Sequence, residues 1–96
     1  MTAKNEPHIC IVTIVGADHV GIVAKLATLM ARANINILDI TQKVFEETFV
    51  MTMAVDVAAA TVDIETLKRR LDRVEKQMGL NIAVQDANLF KAMHRV

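Results

Sequence analysis

The six residues Gly16-Ala17-Asp18-His19-Val20-Gly21 hold the densest chemistry in this sequence. Two glycines permit close backbone approach, and where such a loop runs into a helix the first amides have no intrahelical acceptor. Carboxylates and phosphates favour that end of a helix. The G-x-x-x-x-G spacing mimics a phosphate-binding loop, but Ile22 stands where a lysine followed by Ser or Thr is required. Nucleoside triphosphate binding at the loop is therefore unsupported. The dinucleotide fingerprint fails too, because its central glycine is missing.

Within the loop, Asp18 has two compatible readings: a helix N-cap that accepts from a free amide two or three residues on, or a ligand contact. His19 is either a ligand donor or an exposed loop histidine, and no second His, Cys or carboxylate at ligand spacing accompanies it, so no metal is expected. His8 and His94 lie near the termini, where solvated histidine is the default. Catalysis would need a nucleophile with a base, or two carboxylates in contrasting environments. The chain has no serine, and Cys10 sits inside an apolar run. No catalytic residue and no cofactor is assigned, and the chain is read as not an enzyme.

The elements that position the loop follow from periodicity. His8 to Val15 is a β-branched run apolar on both faces and stopped by Gly16, hence a central strand. From Val20 to Ala33 apolar residues wrap nearly the whole helical circumference, leaving Lys25, Thr28 and Arg32 as a narrow polar stripe. Asn34 and Asn36 end that helix. A second strand follows, in which Leu38, Ile40 and Val44 alternate with Asp39, Thr41 and Lys43 as a half-buried strand does. Beyond the Glu46-Glu47 turn, Phe49, Met51, Met53 and Val55 form one face of a third strand. Ile64, Leu67, Leu71, Val74 and Met78 fall at steps of 3, 4, 3 and 4, a one-sided amphipathic helix that Gly79 terminates. Its outer face carries the spaced pairs Glu65/Arg69 and Asp72/Lys76. A last strand, Leu80 to Gln85, precedes a tail over 87–96 in which Leu89, Phe90 and Met93 form one helical face.

The order is strand, helix, strand, strand, helix, strand. It predicts an α+β, ferredoxin-like βαββαβ sandwich: a four-stranded antiparallel sheet, first and third strands central, with two helices on one face. At 96 residues there is room for one domain. A composition 53% hydrophobic, with three Phe, six Met and no Trp or Tyr, requires an aliphatic core with methionine as filler. Acids and bases balance at eleven each, so no long-range field gathers polyanions and no nucleic-acid partner is expected. Lys68-Arg69-Arg70 is interleaved with acids and reads as a solvated face. RNA recognition on this fold uses aromatics on the central strands, and here only Phe49 is available. No stretch reaches the roughly 18 apolar residues of a membrane span. Met1 to Pro7 lacks the apolar core of a signal peptide, so a cytoplasmic protein with no membrane partner is expected, and the lone cysteine fits a reducing compartment.

G-A-D-H-V-G-I-V-A followed by N-I-N-I-L-D-I, in this order of elements, resembles an ACT domain over residues 8–86. V-G-x-D-x-x-G-I-V-A with N-I-x-D-I-x-Q and the ending F-x-A-M-H resembles, more narrowly, the stand-alone bacterial ACT proteins of the UPF0237 family. A looser similarity reaches the N-terminal domain of formyltetrahydrofolate deformylase, whose catalytic domain is not in this sequence. The resemblance implies a regulatory module that binds an amino acid between the first loop and the start of the second strand, at an interface between two copies. Carried over, the polar residue three before the closing glycine is Asp18 and the asparagine fifteen after it is Asn36. Gly16 replaces the polar side chain that some ACT domains place five before that glycine. The candidate ligand-binding set is Gly16, Asp18, His19, Val20, Gly21 and Asn36. The expected partners are an amino acid-like effector and a second copy in a homodimer or larger homo-oligomer. The alternative is a structural interaction module with no metabolite ligand.

Overall fold

The computed structural model describes residues 6–88. The elements are β1 (Ile9–Ala17), α1 (Ile22–Arg32), β2 (Asn36–Phe45), β3 (Thr48–Asp56), α2 (Ile64–Met78) and β4 (Leu80–Asp86). The strands form one sheet in the order β2-β3-β1-β4, with every neighbouring pair antiparallel. This is the expected ferredoxin-like arrangement, with β1 and β3 central. The tail beyond residue 88, including Leu89, Phe90, Met93 and His94, lies outside the described residues. Among those described, no helix is long and apolar enough to cross a membrane.

The core sits between the sheet and the two helices. Strand periodicity supplies Cys10, Val12 and Ile14 from β1 and Phe49, Met51, Met53 and Val55 from β3, all buried. Leu26 and Met30 from α1 meet Leu67, Leu71 and Val74 from α2 over this face. Met30, Met51 and Met53 are almost fully buried, the flexible filler expected where aromatics are scarce. Each such apolar side chain contributes on the order of 2 kcal/mol by leaving water.

α2 follows its sequence pattern to the residue. Asp63 caps its start by accepting the Thr66 amide at 2.8 Å. Gly79, at φ 66°, ends it in the left-handed region, and its amide donates to the Glu75 carbonyl. The spaced pairs on its outer face do not close. Arg69 instead donates to the Thr66 hydroxyl at 3.1 Å, and Glu75 accepts the Ile82 amide at 2.7 Å.

Three expectations are corrected. α1 begins at Ile22 rather than Val20, because Gly21 sits at φ 97°, outside helical space. Its burial is also narrower than the apolar girth implied: Ile22, Leu26 and Met30 are buried, while Ala24 and Ala31 face outward, methyl groups with little surface to hide. In β2, Leu38, Ile40 and Val44 are exposed rather than half-buried. Ile40 and Val44 lie opposite Met53 and Phe49 on the helix-facing side, but this edge runs past the helices, and a register shift at Leu38 breaks the alternation. Phe45, at the strand's end, is 71% exposed. The hairpin turn places Glu46 and Glu47 at φ 49° and 71°, the positive-φ pair that a two-residue turn between twisted strands demands.

Candidate functional site

The 16–21 loop leaves the C-terminal end of β1 and is strapped on both sides. The Asp18 amide donates to the Glu47 carbonyl at 3.0 Å, tying the loop to the β2–β3 turn. The His19 Nε2–H donates to the Met78 carbonyl at 3.1 Å, tying it to the C-terminus of α2. Loop, hairpin turn and helix end thus meet at one end of the sheet.

Gly16 is explained by packing. It pairs with Phe49 on one side and Leu80 on the other. A Cβ there would stand 2.6 Å from Leu80 Cδ2 and 3.1 Å from the Gly79 carbonyl oxygen, so the turn between α2 and β4 closes only against a glycine. Gly21 differs, since a Cβ would meet nothing within 4 Å and its requirement is the positive φ alone.

Asp18 does not cap α1. Gly21 occupies the cap position with no side-chain acceptor, because Val20 and Gly21 separate Asp18 from the first helical turn. The first intrahelical bond runs from the Lys25 amide to the Gly21 carbonyl at 2.9 Å. The amides of Ile22, Val23 and Ala24 therefore have no side-chain partner, and no acid lies in the first turn. Among the described residues no hydrogen bond or ion pair engages the Asp18 carboxylate. Val20, at the tip, is 97% exposed. The loop thus presents free amide donors, a free carboxylate and an exposed apolar side chain. That set matches the carboxylate, ammonium and side chain of an amino acid.

Asn36 is not brought to this loop within one chain. It pairs with Asp56, which in turn lies opposite Ile9. Gly16 is seven residues further along β1, about 23 Å away at the strand rise. At the Asn36 end, Asp56 Oδ1 accepts the Ala58 and His8 amides, each at 3.0 Å, and these bonds, Ala58's first, hold its carboxyl below the ordinary range. His8 is not simply solvated, since its Nε2 lies 2.6 Å from Asp86 Oδ2. Cys10 is buried, and burial pushes its thiol up, as does nearby Asp86, which suits an inert packing residue. Among the described residues no three His, Cys, Asp or Glu side chains come together as a metal site.

Sequence reasoning missed what lies between the helices. Lys25 and Arg32 from α1 and Arg70 and Arg73 from α2 line an open groove of about 560 Å³. The signal was present in two halves. Lys25, Thr28 and Arg32 share a face of α1, and Arg70, Arg73 and Gln77 share one of α2. Only the packing of α1 against α2 joins them.

A family model described as "ACT domain" matches residues 8–85. A UPF0237 protein of Methanocaldococcus jannaschii is 41% identical over 86 residues, 90% of this chain and 96% of the relative. One from Pyrobaculum aerophilum is 42% identical over 88 residues, 92% and 98% of the two chains. Among solved structures, an ACT domain protein from Streptococcus pneumoniae superposes with a TM-score of 0.77 at 31% identity, over 93% of this chain and all of that one. A formyltetrahydrofolate deformylase from Burkholderia mallei shares the fold at TM-score 0.75 and 19% identity, over 83% of this chain and 28% of that enzyme.

Proposed function

The chain belongs to the ACT domain family, where it groups with the UPF0237 proteins, and from that premise we propose that it is a non-enzymatic, cytoplasmic sensor. It binds an amino acid-like ligand at the 16–21 loop, across an interface with a second copy, and signals to a partner protein. The observation that carries this reading is the uncapped start of α1 beside the unengaged Asp18 carboxylate. The ligand carboxylate takes the amides of Ile22 to Ala24, and its ammonium group takes Asp18. Gly21 keeps the approach to those amides open.

The second copy is supported by the β2 edge. Leu38, Ile40, Val44 and Phe45 leave it apolar and exposed, and an edge strand also presents unpaired backbone groups. Antiparallel pairing of two β2 strands inverts one copy relative to the other. The Asn36 end of one copy is thereby carried toward the loop end of its mate, which lets the two halves of the candidate set approach each other across the pair.

The test is a thermal-shift screen against the common amino acids. A ligand at one hundred times its Kd stabilises by about 2.7 kcal/mol. Asp18→Ala is expected to abolish that shift without lowering the unliganded melting temperature, and identical responses of wild type and variant would place the site elsewhere. Light scattering at micromolar concentration is expected to give a multiple of the 10.6 kDa monomer mass. A second reading, an interaction module with no metabolite ligand, is favoured by the apolar β2 edge alone. It is selected if no compound shifts the melt while the oligomer persists.

A further inference from the structure

The groove between α1 and α2 is separate from the loop and has its own chemistry. Lys25, Arg32, Arg70 and Arg73 line it, and no acid does. Among the described residues none of these four cations takes part in an ion pair or a side-chain hydrogen bond. In a chain whose eleven acids balance its eleven bases, that is a local excess of positive charge among the groove's lining residues. The α2 acids look elsewhere: Glu75 is turned to the Ile82 amide, and Glu65 and Asp72 do not line the groove.

The arrangement specifies an occupant. Lys25 and Arg32 stand two turns apart, about 10 Å along α1, while Arg70 and Arg73 are about 4.5 Å apart along α2. Anionic charge distributed over several ångströms is matched from both walls. Three of the four cations are arginines, whose planar forks suit phosphate oxygens in pairs. Thr28 and Gln77 add neutral donors, and the volume falls in the range of small-molecule sites.

Larger anions fit less well. Leu29 and Val74 are the apolar lining, too little to seat the hydrophobic stripe of an acidic helix. No aromatic lines the groove to stack a base, as single-stranded nucleic acid would require. We propose that this groove binds a small molecule through two or more linked phosphate groups, the phosphates and not any attached base being what is recognised.

The test is calorimetry on the full chain at about 50 mM salt with sodium tripolyphosphate as probe, and orthophosphate, ATP, GTP and a glutamate-rich peptide as comparisons. Tripolyphosphate is expected to bind at least tenfold more tightly than orthophosphate, to match ATP and GTP, and to weaken on raising salt to about 200 mM. Arg73→Gln and Arg32→Gln, one from each wall, are each expected to weaken it by about tenfold, the scale of one charge-assisted bond. Lys76→Gln and Asp18→Ala are expected to leave it unchanged. Unliganded melts verify that each variant is folded, and Lys25→Gln replaces any that is not. The proposal fails if tripolyphosphate does not bind, if Lys76→Gln or Asp18→Ala weakens it as much as the groove variants do, if ATP and GTP differ tenfold, or if the acidic peptide binds more tightly.

Discussion

The two helices lie side by side on one face of the same sheet, yet they begin in opposite ways. α2 opens on Asp63, which accepts the Thr66 amide, carries Glu65 in its first turn and closes on a left-handed Gly79. α1 opens on a left-handed Gly21 with no side-chain cap and no acid in its first turn. One helix satisfies its own ends, and the other leaves its positive end for something else. Their apolar seams do not differ in kind, so the contrast lies in the termini, and the proposed function assigns the open one to a ligand.

The largest expected effects lie at the two seams. Leu26→Ala and Leu71→Ala remove comparable, fully buried side chains from α1 and α2, and each is expected to cost about 3 kcal/mol in urea unfolding. A loss under about 1 kcal/mol for Leu26→Ala alone would show that α1 is loosely held throughout, and its open end would lose its meaning.

Next in size come the two loop glycines, alike in sequence and different in cause. Gly16→Ala drives a methyl group into Leu80 and is expected to cost about 2 kcal/mol, the scale of overpacking. Leu80→Ala should relieve part of that cost in a double-mutant cycle. Gly21→Ala meets no neighbour and is expected to cost about 1 kcal/mol through its positive φ, with no rescue by Leu80→Ala. Rescue of both would mean that the loop is positioned by packing alone.

The order of strands and helices was legible because period 2 and period 3.6 are properties of single segments. The start and end of α2 were legible too, since Gly79 and the five-residue apolar seam are local signals. What escaped depended on neighbours distant in sequence. The strand order makes β2 an edge, but nothing near Leu38 or Val44 says that the helices do not reach it. Asp18 keeps a cap reading beside its ligand reading because a carboxylate just before a helix is a favoured cap, and only the φ of Gly21 moves the helix start away from it. The loop's two tethers, to Glu47 and Met78, and the groove of four cations join residues from different elements, which no window along the chain contains.

The α2 cap also carries a pH signature. Asp63 is held below the ordinary carboxylate range first by the Thr66 amide and then by the Thr66 hydroxyl, and Asp56 is lowered by the amides of Ala58 and His8. A folded pKa below the unfolded one means stability that is full above the unfolded value, near 4, and lost as pH falls through the folded value. Urea midpoints are therefore expected to drop between pH 5 and pH 3, and to drop less in Asp63→Ala, which has already lost its share at pH 7. An equal drop in both proteins would show that Asp63 is not bonded to the α2 amides in solution.

The smallest effect tests the comparison most directly. Ala24 is exposed and occupies the third position of α1, so Ala24→Glu places a carboxylate beside amides that nothing else engages. The helix dipole favours it there by about 0.5 kcal/mol at low salt, and Glu65→Ala on α2 should lose a similar amount. The two changes have opposite signs because one fills an empty position and the other empties a filled one. Ala24→Glu is also expected to weaken any amino acid that stabilises the wild type, since the new carboxylate occupies the place of the ligand's own. A variant more stable than wild type yet blind to that ligand would identify the open end of α1 as the binding feature. If Ala24→Glu leaves both melting temperature and ligand response unchanged, the α1 amides are already satisfied and the two helices differ only in appearance.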